Sequence, residues 1–187
     1  MPREEVHHLQ ARGRPARLCG HVPSLLHALD EAGGGKALMQ TFLPYADYEQ
    51  TARVLDYRRL GKQRVETFQL LNALDGLTKG WATHPAALMW RGYEASLALY
   101  GVVICKEWKR RGYKDQMHER LSERYFQYRE ASEHGYLQDP PWLGNREFHL
   151  SHQSNLVRKL PEFYRPLFPD VPDDLPYIWP TGLIVTG

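Results

Sequence analysis

The run Leu55-Asp56-Tyr57-Arg58-Arg59-Leu60-Gly61-Lys62-Gln63-Arg64-Val65-Glu66 crowds four cations around one glutamate at the start of an amphipathic stretch. In a continuous helix Arg58, Lys62 and Glu66 stand at i, i+4 and i+8 and share one polar stripe. Val65, Phe68, Leu71 and Leu74 fall on other angles and can face a core. Such a stripe can hold a general acid/base or charge-stabilising carboxylate between phosphate-binding cations. The alternative is a solvated face stitched by a Lys62–Glu66 pair, worth only ~0.2–0.5 kcal/mol.

Helical patterning continues on both sides, and the predicted class is all-α: a compact single helical domain with a long apolar central helix. Residues 1–38, with Arg12-Gly13-Arg14-Pro15 and Gly33-Gly34-Gly35, read as a flexible N-terminal extension or as residues upstream of a start at Met39; Ser24 to Glu31 is a short helix within them. From Met39 the chain reads as the domain proper, to residue 187. Thr41-Phe42-Leu43-Pro44-Tyr45 opens it as an extended apolar segment, and Asp47 caps a helix to about Tyr57. Leu60 to Leu74 forms the next, closed by Asp75-Gly76. Thr83 or His84 caps a helix begun by Pro85, and the apolar run from Ala86 to Trp108 is the central helix, with Gly92 and Gly101 as close-packing or bend points. It ends in Lys109-Arg110-Arg111-Gly112, cations in a last turn followed by a terminating glycine. Further helices cover Gln116 to Ser132, Asn145 to Lys159, and a short piece from Leu160-Pro161-Glu162. From Pro166 onward the proline and aromatic content predicts a wrap without regular structure.

The 187 residues, 42% hydrophobic and 25% charged, suit one soluble domain. No apolar run is long enough to span a bilayer, and no signal-like h-region opens the chain, so a cytoplasmic, membrane-free and monomeric protein is expected. Cys19 and Cys105 make no disulfide framework, and Cys105 reads as a small buried hydrophobe. Charge is divided unevenly: residues 53–114 hold 12 Lys/Arg against 5 Asp/Glu, and residues 115–187 hold 7 against 11. This favours a polyanion-binding face, unless the acidic second half folds over the basic first half.

Other chemistry is poorly supported. His149 and His152 stand at i, i+3, but no third ligand accompanies them, so backbone capping or phosphate contact is favoured over a metal; neither metal nor cofactor is expected. Ser96 and Cys105 lack a nucleophile turn. Trp81 and Trp142, in loops beside glycine or proline, either stack on bases at ~1–3 kcal/mol each or cover the core.

The order of these features resembles the pyrimidine-dimer DNA glycosylase family of phage endonuclease V type, and a group of small bacterial proteins grouped with it that start like Met-Gln-Thr-Phe-Leu-Pro-Tyr. The resemblance runs over Met39 to Tyr45, Arg58 to Glu66, and His84-Pro85 to Arg111-Gly112-Tyr113, and continues through His152 to Leu156 and Pro161 to Tyr164.

The resemblance implies a base-excision glycosylase, with abasic-site lyase chemistry, on double-stranded DNA carrying damaged pyrimidines such as cyclobutane dimers. An N-terminal α-amine attacks the sugar C1′, and an α-amine, with a reference pKa of about 7.7–8.0, is partly nucleophilic near neutrality. Met39 and Gln40 mark the place of that amine, and Glu66 is the stabilising carboxylate. Arg58, Arg59 and Arg64, with Lys79, Trp81, His84, Arg91, Arg110 and Arg111, make the DNA face. The chain departs from the family in three ways: 38 residues precede Met39; the bulk of Gln40 keeps Met39 attached in a chain started there, unlike a family member with a small second residue; and the family's Arg-Glu dipeptide is replaced by Arg58-Arg59 with Glu66 seven positions on. Lys62 is therefore a second candidate amine, and Glu66 activating water, without a lyase step, is another route. A non-catalytic nucleic-acid-binding protein is the competing reading.

Overall fold

Asp56 decides where the first two helices divide. The computed structural model describes residues 39–132 and 138–180. In it α1 spans Tyr48–Val54, with the Asp47 carboxylate accepting from the Gln50 N–H at 2.6 Å. The chain is extended at Leu55 and Asp56, and α2 then runs over Tyr57–Leu74. The Asp56 side chain accepts from the N–H groups of Arg58 and Arg59, filling two of the donors a helix start leaves open. This second cap ends α1 before Tyr57 and starts α2 earlier than the apolar spacing predicts.

The expected central helix is two helices. Pro85–Trp90 form α3 and Glu94–Arg110 form α4, separated by Gly92 at φ 84°. Only glycine adopts that conformation without strain, and the Glu94 carboxylate accepts from its N–H at 2.9 Å. The remaining helices are α5 (Met117–Ala131), α6 (Arg146–Lys159, capped by Asn145) and the single turn α7 (Pro161–Tyr164). The described residues thus form an all-α bundle of seven helices without strands, and none of these helices is long and apolar enough to cross a membrane. The flexible extension, the Ser24–Glu31 helix and Cys19 belong to residues outside those described.

The core gathers around α4, which lies against α1, α2 and α5. Trp90, Tyr100, Leu60, Leu70, Leu71, Leu97 and Ile104 are fully buried there, each aliphatic or aromatic side chain contributing roughly 1.5–3 kcal/mol. Gly101 permits the closest approach: a Cβ on it would sit 2.6 Å from Thr67 Cγ2 and 3.0 Å from Leu121 Cδ1. At the other end Tyr164 ties α7 to the start of α2, its hydroxyl donating to Asp56 Oδ2 at 2.6 Å and accepting from the Asp56 N–H at 2.9 Å. Burial works to raise the Asp56 carboxyl, but the bonds from Tyr164 and Arg59 outweigh it and hold the group below its usual range.

Candidate active site

Residues 39–44 form a segment without regular structure, yet its backbone groups are paired with side chains from several helices and from Tyr177. Gln63 Nε2 donates to the Gln40 carbonyl at 2.8 Å, and Gln63 Oε1 accepts from the Phe42 N–H at 3.0 Å. The Tyr100 hydroxyl has one proton for two acceptors, Gln63 Oε1 at 2.8 Å and the Phe42 carbonyl at 3.0 Å, and Tyr177 donates to the Thr41 carbonyl at 2.8 Å. His152 Nδ1 accepts from the Leu43 N–H at 3.0 Å, His149 donates to the Leu43 carbonyl at 2.8 Å, and Gln153 reaches the Pro44 carbonyl at 2.8 Å. Because His149 Nε2 accepts from the Gly144 N–H, its proton is on Nδ1, as this arrangement requires. The two histidines are therefore backbone-capping groups, one of the roles their spacing allows, and burial holds both imidazoles below their usual pKa. Buried backbone groups demand partners, and here side chains replace the ladder of a sheet.

That segment delivers Met39 and Gln40, both buried, to Glu66. Glu66 is 5% exposed, with Oε2 accepting from Gln63 Nε2 at 2.8 Å and Oε1 lying 3.2 Å from the Lys62 ammonium. The backbone N–H of Gln40 is also close enough to favour the carboxylate. Burial dominates these influences and pushes the Glu66 carboxyl up to about 7, while Lys62, Gln40 and Gln63 act in the opposite direction. A carboxyl balanced near neutrality can accept a proton and can also bear charge beside a developing cation. The polar stripe of α2 therefore descends from exposed Arg58, through half-buried Lys62, to a carboxylate inside the fold.

The other expected DNA contacts are dispersed. Arg58 is exposed, with Nε donating to the Tyr57 hydroxyl at 2.9 Å. Arg59 is committed to Asp56 at 2.7 Å and lies over the Tyr164 ring. Arg64 is not placed on the surface: its guanidinium is buried over Trp108, 4.1 Å from the ring centroid, and paired with Asp115. Here an acidic residue of the second half does neutralise a cation of the first. Arg111 donates to the carbonyls of Ala52, Arg53 and Leu55 and to Glu107, so it closes the end of α1 instead of facing outward. Arg110 is held on Glu107 but remains largely exposed. Lys79 and Arg91 are exposed, Arg91 bonding the Ala82 carbonyl at 3.0 Å.

His84, not Thr83, caps α3: Nδ1 accepts from the Ala86 N–H at 3.1 Å, and the ring lies edge-on between Trp81 and Trp179. Trp142 is a core residue, its ring 4.8 Å from Trp90 and its N–H on the Met89 carbonyl, whereas Trp81 is only half-buried. One cation escaped the sequence reading. Lys159, closing α6, has its pKa lowered first by desolvation and then by the charges of Arg59, Lys62 and Arg158, with Glu66 opposing them. Gln63 was missed as well, although it stands one helical turn before Glu66 in the quoted run. Tyr100, Gln153 and Tyr177 carry no local signal, since only the fold brings them to residues 40–44.

No curated protein and no solved structure matches the chain. The family described as pyrimidine dimer DNA glycosylase does match, over residues 39–121. The match begins at the first residue of the segment that faces Glu66 and takes in α1 to α4, whereas the later part of the resemblance, from His152 to Tyr164, lies beyond it. Over residues 39–121, which hold Glu66, Gln63, Lys62 and the backbone they fasten, the chain is similar to the pyrimidine dimer DNA glycosylase family.

Proposed function

We propose that this protein is a DNA base-excision repair glycosylase with abasic-site lyase activity, acting on damaged pyrimidines such as cyclobutane dimers in double-stranded DNA. The observation that carries the reading is the buried Glu66 carboxyl, pushed up to about 7 by burial and joined through Gln63, at 2.8 Å on either side, to the backbone of residue 40. In a chain whose first residue is Gln40 the backbone nitrogen of that residue is an α-amine. It attacks C1′ of the damaged nucleotide; the C1′–N glycosidic bond breaks and the base leaves with the bonding pair. Glu66 takes the proton lost by the amine and stabilises the cationic sugar. The sugar ring opens to an imine, and loss of a C2′ proton expels the 3′ phosphate. Lys62, 3.2 Å from Glu66, favours the carboxylate form, and exposed Arg58, with Lys79, Arg91 and Arg110, supplies phosphate contacts.

End-labelled duplexes containing a thymine dimer or an abasic site test this, with proteins whose chains begin at Met1, at Met39 and at Gln40, the last released from a fusion by a protease, and Glu66→Gln in each. Cleavage and a borohydride-trapped adduct that disappear in Glu66→Gln support the reading. Activity confined to the chain begun at Gln40, and kept in Lys62→Gln, assigns the amine to the new terminus. Salt-sensitive binding with no cleavage by any of them would leave a non-catalytic DNA-binding protein.

A further inference from the structure

Tyr177 lies outside residues 39–121 and in the stretch that the sequence gives no motif for, yet its hydroxyl is 2.8 Å from the Thr41 carbonyl. The stretch reaches that position along α6. The Leu175 N–H bonds Ser154 Oγ at 3.1 Å, the Ile178 N–H bonds Ser151 Oγ at 3.2 Å, and Arg158 donates to the Leu175 carbonyl at 2.7 Å. Ser151, Ser154 and Arg158 stand at i, i+3 and i+7, one face of a helix, so α6 acts as a rail for residues 175–178. The phenol packs against His152 and Trp179, at 4.4 and 4.5 Å between the centroids of mutually tilted rings.

The phenol has one proton, and its partners decide where that proton goes. His152 Nδ1, 3.2 Å from the hydroxyl, already accepts from the Leu43 N–H, which leaves the Thr41 carbonyl as the acceptor. The peptide joining Thr41 to Phe42 is then held at both edges, its carbonyl by Tyr177 and its N–H by Gln63. Gln63 also holds the carbonyl of residue 40. With those groups fixed, little rotation is left to the nitrogen of residue 40 where it meets Glu66.

We infer that Tyr177 is a positioning residue, which fixes the Thr41 carbonyl and thereby holds the residue-40 nitrogen against Glu66. The inference rests on the reaction proposed above and adds to it an element from beyond the family-matched stretch. Burial, and after it the Glu66 charge, push the phenol well above its usual pKa, so it stays a donor across the range in which Glu66 titrates.

Tyr177→Phe keeps the ring and removes only the hydroxyl. In the chain begun at Gln40 and running to residue 187, Tyr177→Phe should slow single-turnover cleavage of a thymine-dimer duplex by roughly 10- to 100-fold, the scale of a small misplacement of a reacting group. Duplex affinity should stay within about twofold, and amide hydrogen exchange at residues 40–43 should rise, because binding groups are untouched while the segment is loosened. A cleavage rate and exchange equal to those of the unsubstituted protein would overturn the inference, as would a loss of rate matched by an equal loss of affinity. If the unsubstituted protein cleaves nothing, the proposed reaction fails; raised exchange in Tyr177→Phe would still support the anchoring role, and unchanged exchange would remove it.

Discussion

Gln63 Nε2 stands 2.8 Å from Glu66 Oε2 and 2.8 Å from the Gln40 carbonyl, so one amide joins the buried carboxylate to the backbone that faces it. Its Oε1 takes the Phe42 N–H and the Tyr100 hydroxyl at 3.0 and 2.8 Å. Two donors meet the oxygen and two acceptors meet the nitrogen, which fixes the orientation of the amide. A side chain of another shape cannot satisfy all four groups at once.

Gln63→Leu is therefore expected to leave several buried polar groups short of partners, at ~1–3 kcal/mol for each that water cannot reach. A total loss of about 3 kcal/mol or more in denaturant unfolding, with cleavage lost, is the expected outcome. A variant as stable as the parent would show that Gln63 does not hold the opening segment.

The pH dependence of stability follows from Glu66. Its folded pKa of about 7 lies above that of an exposed glutamate, so the unfolded chain gives up this proton first as pH rises. The favourable contribution is fully present below about pH 4.3, declines above it, and is lost through about pH 7, a change on the order of 3 kcal/mol. Glu66→Gln should flatten this part of the profile and be more stable than the parent at pH 8. Cleavage, which needs the carboxylate, should rise with pH through about 7; an activity profile flat from pH 5 to 8 would argue against that role.

The arginines should separate into two groups. Arg58→Ala, on the surface, should weaken DNA binding, reduce the salt slope by about 1, and leave stability within about 0.5 kcal/mol. Arg64→Ala breaks a pair whose side chains are 5% and 0% exposed and should cost ~3–5 kcal/mol. Parallel titrations of binding and unfolding check this, and equal stability of the two variants would contradict the placement of Arg64.

Gly101→Ala adds a Cβ 2.6 Å from Thr67 Cγ2, where α2 meets α4. Thr67 is fully buried and has no room to withdraw, so a loss of ~1–3 kcal/mol is expected. Thermal unfolding measures it directly, and pairing the change with Thr67→Ser should recover part of the loss.

Local chemistry determined much of the outline. The all-α class, the caps at Asp47 and Asn145, Pro85 in the first turn of α3, and the Arg58–Lys62–Glu66 stripe follow from spacing and side-chain type, which act within a turn or two of helix. The division of α1 from α2 was legible at Asp56 only once its two backbone acceptances were visible; Gly92 was legible as a bend or close-packing point, but the full break there depended on a left-handed φ that apolar periodicity does not register. Tertiary structure alone decided the rest. A charge pattern cannot say which arginine is buried: Arg64 turned inward because Asp115 and the Trp108 ring were there to receive it, and Arg111 because three carbonyls of the α1–α2 junction needed donors. Nor can spacing show that Gln63, Tyr100, His149, His152, Gln153 and Tyr177 meet on one strand of backbone. Those contacts join residues separated by up to 136 positions, and they exist because a buried segment in neither helix nor sheet must find its hydrogen bonds among side chains.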